Sequence, residues 1–124
     1  MEEIEDRDQL YRRLHYSHVL RDGRVNRTAF TLNNQPEREI SVDLARLTTP
    51  EETATRGRAP RGVGVLEAGY PRSIGFTIRH NPLKGGRGEY AHCLIEGEND
   101  MTKCRLLAEA TTVLIPPPAK VIGT

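Results

Sequence analysis

The chain has 124 residues, of which 36% are hydrophobic and 28% charged, and a formal net charge of +1 at pH 7. That is enough for one domain with a core of its own and no disulfide staples. The balanced charge supplies no global field toward nucleic acid or a membrane surface, and no apolar run approaches the ~20 residues that a bilayer-spanning helix needs.

Residues 1–9 form an acidic segment, expected to be mobile or to begin a short helix. Leu10 to Leu14 fits either a strand or one helical turn. Asp22-Gly23 marks a turn, because glycine reaches positive φ at little cost. Val25 to Leu32 then reads as a strand, and Asn33-Asn34-Gln35-Pro36 as a polar loop. Ile40 to Leu47 alternates apolar and polar through Ile40, Val42 and Leu44, the clearest half-buried strand of the chain. Thr48-Thr49-Pro50-Glu51-Glu52 carries a helix start: a threonine cap, proline in the first turn and two acids after it. Gly57, Pro60 and Gly62 keep that helix short.

Arg56 to Arg61 reads as an exposed basic loop. Val63 to Leu66 follows as a strand, Ala68 to Gly75 as a turn or brief helix, and Phe76 to His80 as another strand. Gly85-Gly86-Arg87-Gly88 is a loop. Tyr90 to Ile95 is a further strand, and Asn99 or Asp100 caps a helix expected to run to Val113. Pro116-Pro117-Pro118 opens a proline-rich tail over 116–124. Strands before and after one short helix, with a second helix at the end, imply an α+β single domain over 10–115 with a curved, mostly antiparallel sheet and two helices.

Of the 18 basic residues 15 are arginine, the rest being Lys84, Lys103 and Lys120. Arginine's planar fork suits phosphate and carboxylate recognition, although a GC-rich coding sequence explains the same bias. Six aromatic residues and no Trp leave little for a base-stacking platform. Cys93 and Cys104 are too few for a disulfide framework and not spaced as a metal pair. The acidic start lacks the basic-then-apolar order of a signal peptide. A soluble protein in a reducing, cytoplasmic setting is the expectation.

His15 and His18 are three apart, on one face of a helix or on opposite faces of a strand. Such a pair suits general acid–base work, or a solvated surface. A zinc site would also need Cys93, His92, His80 or Cys104, and nothing in the spacing recommends that set, so no metal is expected. Asp22-Gly23-Arg24-Val25-Asn26-Arg27 sets arginines at both ends of a turn, able to converge on an anion or simply to be solvated. His92 and Cys93 are adjacent, and neighbours on a strand face opposite ways, so they do not make a nucleophile–base pair.

Leu10-Tyr11-Arg12, His18-Val19, Asp22-Gly23-Arg24-Val25, Ala29-Phe30, Ser41-Val42-Asp43, His80-Asn81-Pro82-Leu83 and Ala91-His92 together resemble a group of small bacterial proteins, a likeness that brings no activity with it. Arg12, and the turn Gly23-Arg24-Val25-Asn26, are also similar to the start of ADP-ribosyltransferase-like folds, including the RES-type toxins that consume NAD, with Val25 standing where that pattern has a tryptophan. That resemblance implies NAD as a cofactor-like substrate; the residues themselves imply none.

Two functions follow as expectations. One is a non-catalytic module that binds a protein partner or a phosphate-bearing ligand through Arg12, Arg24, Asn26, His80 and His92. The other is an NAD-cleaving or ribonucleolytic enzyme using Arg12 with His15 or His18, for which a nucleotide or nucleic acid would be the partner. A subunit role in a larger assembly is a third outcome; a membrane partner is not expected.

Overall fold

In the computed structural model residues 1–57, 59–84 and 89–119 are described. The chain enters through β1 (Gln9–Leu14), then makes two 3₁₀ turns (Tyr16–His18 and Arg27–Phe30) and a small ribbon of β2 (Thr31–Leu32) and β3 (Gln35–Pro36). It continues with β4 (Glu39–Leu44), α1 (Pro50–Thr55), β5 (Gly62–Glu67), α2 (Gly69–Ser73), β6 (Thr77–His80), β7 (His92–Glu96), α3 (Met101–Ala110) and β8 (Thr112–Ile115). Six strands form one antiparallel sheet in the order β6-β7-β4-β1-β5-β8. The fold is α+β, with three α-helices among the described residues rather than the two expected. None is long and apolar enough to cross a membrane among the described residues.

The period-2 rule places the core. Leu10, Leu14, Ile40, Val42, Leu44, Cys93 and Ile95 belong to one face and are buried. Against that face pack Cys104, Leu107 and Ala108 of α3, together with Ala29, Phe30 and Phe76. The other face carries α1, which packs over β1 and β5. On that face Asp43 is buried, while Glu39 and Ser41 of β4 stay exposed, as the alternation of a half-buried strand leaves them.

Four local expectations change. Val25 to Leu32 is not one strand: Val25 makes an isolated bridge to Val19, Asn26 accepts a hydrogen bond from the Thr28 amide at 3.2 Å and caps a 3₁₀ turn, and the strand is confined to Thr31–Leu32. The polar loop after it is a tight hairpin, with Asn33 and Asn34 at φ 53° and 63°, as a two-residue turn with both centres left-handed requires. The last helix starts where Asp100 accepts from the Lys103 amide at 2.8 Å, but stops at Ala110, and the β-branched run Thr111-Thr112-Val113 turns into β8.

The acidic head has a fixed place instead of leading away. Ile4 joins the core, Arg46 pairs with Glu2 and Asp8, and Arg72 donates to Asp6 and to the Ile4 carbonyl. Gly85 to Gly88 and Arg58, both assigned above to loops, lie outside the described residues, as does the tail beyond Ala119.

Candidate functional site

The antiparallel register builds a polar row across three strands. Tyr11 stands opposite Asp43, and Asp43 opposite His92. Paired residues of an antiparallel sheet share a face, so these three side chains belong to the face that carries α1. Arg13 and Ser41, two residues along β1 and β4, lie on that face as well. With Thr53 from α1, Arg56 at the C-terminal cap of that helix and Leu83 from the segment after β6, they line a pocket of about 270 Å³ that also touches Arg12 and Val42.

Asp43 is held from α1 and its C-terminal cap. Thr53 Oγ1 donates to its Oδ2 at 2.7 Å and Arg56 Nη1 to its Oδ1 at 3.0 Å. The sequence arranges this: Thr49 caps α1 by accepting from the Glu52 amide at 3.1 Å, and the helix turns back over the strand that has just ended. Burial lowers the Arg56 pKa from its ordinary value.

Arg13 is the less satisfied cation. Its Nη2 donates to the Ala59 carbonyl at 2.9 Å, and the guanidinium packs so closely on Gly57 that a Cβ there would meet Nη1 at 2.8 Å. Gly57 also has φ +100°, a conformation costly for other residues. The Arg13 Nε is buried and has no hydrogen-bond partner among the described residues. Its pKa is lowered, first by burial and then by the like charges of Arg61 and Arg56.

At the other end of the row, His92 Nε2 is 3.1 Å from Ser41 Oγ, and its Nδ1 is 2.8 Å from the Asn81 carbonyl oxygen. Ser41 and His92 are diagonal neighbours across β4 and β7, a spacing a long side chain covers.

Of the residues singled out from sequence, Arg12 and His92 come together at this pocket. Arg12 is nonetheless committed to its own chain. Nε and Nη2 donate to the Ala29 carbonyl at 3.0 and 2.7 Å, Nη1 to the Ser41 carbonyl at 2.8 Å, and Nη2 also to Glu37 at 3.1 Å. The guanidinium carbon lies 5.6 Å from the centre of the Phe30 ring.

Arg24 pairs with Asp22 at 2.7 Å and lines a separate groove against α3, which Asn26 shares. His80 is buried under the N-terminal segment: it accepts the Glu2 amide at Nδ1 and has its Nε2 2.6 Å from the Tyr90 carbonyl. His15 and His18 bond each other around the first 3₁₀ turn, where the His15 amide donates to His18 Nδ1 at 3.0 Å. Burial, then the charge of Arg12, lowers the His18 pKa to about 4, so its ring is neutral at pH 7. His15 lines a cleft with Pro60 and Arg61, apart from the pocket at Asp43.

Among the described residues no three His, Cys, Asp or Glu converge in a way that could hold a metal. Tyr11, Arg13, Ser41, Asp43, Thr53 and Arg56 were not singled out as site residues from sequence. A usable signal was the helix start immediately after β4, which folds back over the polar side of that strand. Comparison with family models, with curated proteins and with solved structures finds no match for this chain.

Proposed function

We propose that this domain binds a small phosphate-bearing ligand in the pocket bounded by Arg13, Ser41, Arg56 and His92. The observation that carries this reading is Arg13. A buried guanidinium N–H without an acceptor costs about 1–3 kcal/mol or more, and here Arg56 and Arg61 add like charge to it. An anion beside the Arg13 guanidinium would relieve that repulsion and offset the cost of burying its charge. Arginine's fork suits a phosphate group, and the Ser41 hydroxyl adds a neutral polar group to the same wall. A volume of about 270 Å³ falls at the small end of ligand sites, which fits a phosphate or a compact phosphate ester better than a whole dinucleotide.

The test is a melting-temperature titration with inorganic phosphate against sodium chloride of equal ionic strength, on the wild-type chain and on Arg13→Met. A ligand that binds only the folded state adds about 2.7 kcal/mol at a hundred times its Kd, several degrees for a domain of this length. Wild type should gain stability from phosphate and Arg13→Met should not. Equal curves for phosphate and chloride would reject the reading.

A further inference from the structure

Anion binding does not require the arrangement at Ser41 and His92. The Asn81 carbonyl can only accept, so the 2.8 Å contact places the imidazole proton on His92 Nδ1. The Asn81 amide nitrogen reaches the same Nδ1 at 3.4 Å, a longer contact that competes for the atom and loses to the carbonyl. His92 Nε2 is then a bare acceptor, and the Ser41 hydroxyl at 3.1 Å donates to it. The imidazole is buried, with 8% of the residue exposed, whereas Ser41 is exposed at the pocket. A hydroxyl that is accessible, hydrogen-bonded to a base, with that base oriented by a third group, is the pattern of an activated nucleophile. Arg13 and Arg56 line the same pocket and bring positive charge to the group that would be attacked. Cys93, next in sequence, plays no part. It is buried on the opposite face, and burial pushes its thiol up to about 11.

We propose that Ser41 is a nucleophile toward phosphate esters held in this pocket, with His92 as its general base; this rests on the phosphate-binding reading above. Ser41 Oγ bonds to phosphorus while the bond from phosphorus to the leaving oxygen breaks, and the electron pair departs with that oxygen. The serine proton passes to His92 Nε2 and from there to the leaving oxygen. Water, giving a proton to His92, then attacks the phosphoserine. The phosphorus–Oγ bond breaks, His92 returns the proton to Ser41, and inorganic phosphate is released.

The experiment uses the full chain and an alkyl fluorophosphonate, which Ser41 would attack at phosphorus with loss of fluoride and transfer of its proton to His92. The adduct is located by peptide mass spectrometry in wild type, Ser41→Ala and His92→Asn, each checked for folding by its melting temperature. His92→Asn keeps a donor near the Asn81 carbonyl and removes the base. Labelling is expected on Ser41, absent in Ser41→Ala, slowed about a hundredfold in His92→Asn, and suppressed by inorganic phosphate. Folded wild-type protein that stays unlabelled, or that labels at the same rate as His92→Asn, overturns the proposal. If phosphate still stabilises an unlabelled wild type, the nucleophile alone is lost and the binding reading survives. Labelling at Ser41 that phosphate does not slow would overturn phosphate esters as the substrate class.

Discussion

Asp43 and Arg56 face each other within the pocket with little of either side chain in water, 6% of the aspartate and 17% of the arginine. A pair this enclosed is weak support for stability as a whole, but removing one partner from it is costly, because the other charge stays in a poorly solvated place. Asp43→Ala should therefore lower the unfolding free energy by about 3 kcal/mol, read from urea denaturation. A loss below about 1 kcal/mol would make the pair no more than a surface contact.

Arg12 and Arg13 are neighbours with opposite expected phenotypes. Arg12 spends its guanidinium on two backbone carbonyls and Glu37, tying β1 to the 27–30 turn and to β4. Arg12→Ala should cost about 2–3 kcal/mol, and lysine, lacking the fork, should recover little of it. Arg13→Met should leave the denaturation midpoint near that of wild type while removing the phosphate response. Reversed phenotypes would assign the anion to Arg12.

Acid should weaken the fold through His18. Its folded pKa is about 4 against 6.5 for the free side chain. Between those values the unfolded chain binds more protons than the folded one, so stability rises with pH across that window. On acidification the contribution is whole above pH 6.5 and is lost progressively down to about pH 4. His18→Asn retains an acceptor for the His15 amide and does not titrate. Melting temperature plotted against pH should be flatter for this variant over that range, and parallel curves would show that His18 is not responsible.

Neither cysteine should react in the native protein. Both Cys93 and Cys104 are free and buried, and burial raises both thiols. The thiolate is the reactive form, so a thiol reagent at neutral pH should modify neither until denaturant is added, and then both. Modification of the folded protein would point to local opening near β7 or α3.

The sequence made β4 and the start of α1 readable because each is a local signal: an alternating strand in the first case, a threonine cap followed by proline and acids in the second. β8 was hidden by its helix, since Ala108 and Ala110 continue a helical composition and only the β-branched residues after them turn the chain. Arg12 and His92 were visible as chemistry-bearing residues. What joins Ser41 to His92, 51 positions away, is the register of β4 on β7, and no spacing along the chain encodes it. Asp43 and Arg56 were obscured for a related reason, the covering of a second sheet face by so short a helix.

The strand order also has a kinetic meaning. Within the six-stranded sheet only β6 and β7 are both adjacent in space and consecutive in the chain. Every other pairing must close a long loop before any contact rewards it, and β1 has to recruit β4 on one side and β5 on the other. Chains dominated by such distant pairings fold in milliseconds to seconds, slowly for their size. The β6–β7 hairpin can form early and carry His92 with it, but Ser41 reaches His92 only when β4 docks, so the pocket's chemistry is assembled late, at the search-limited end of folding.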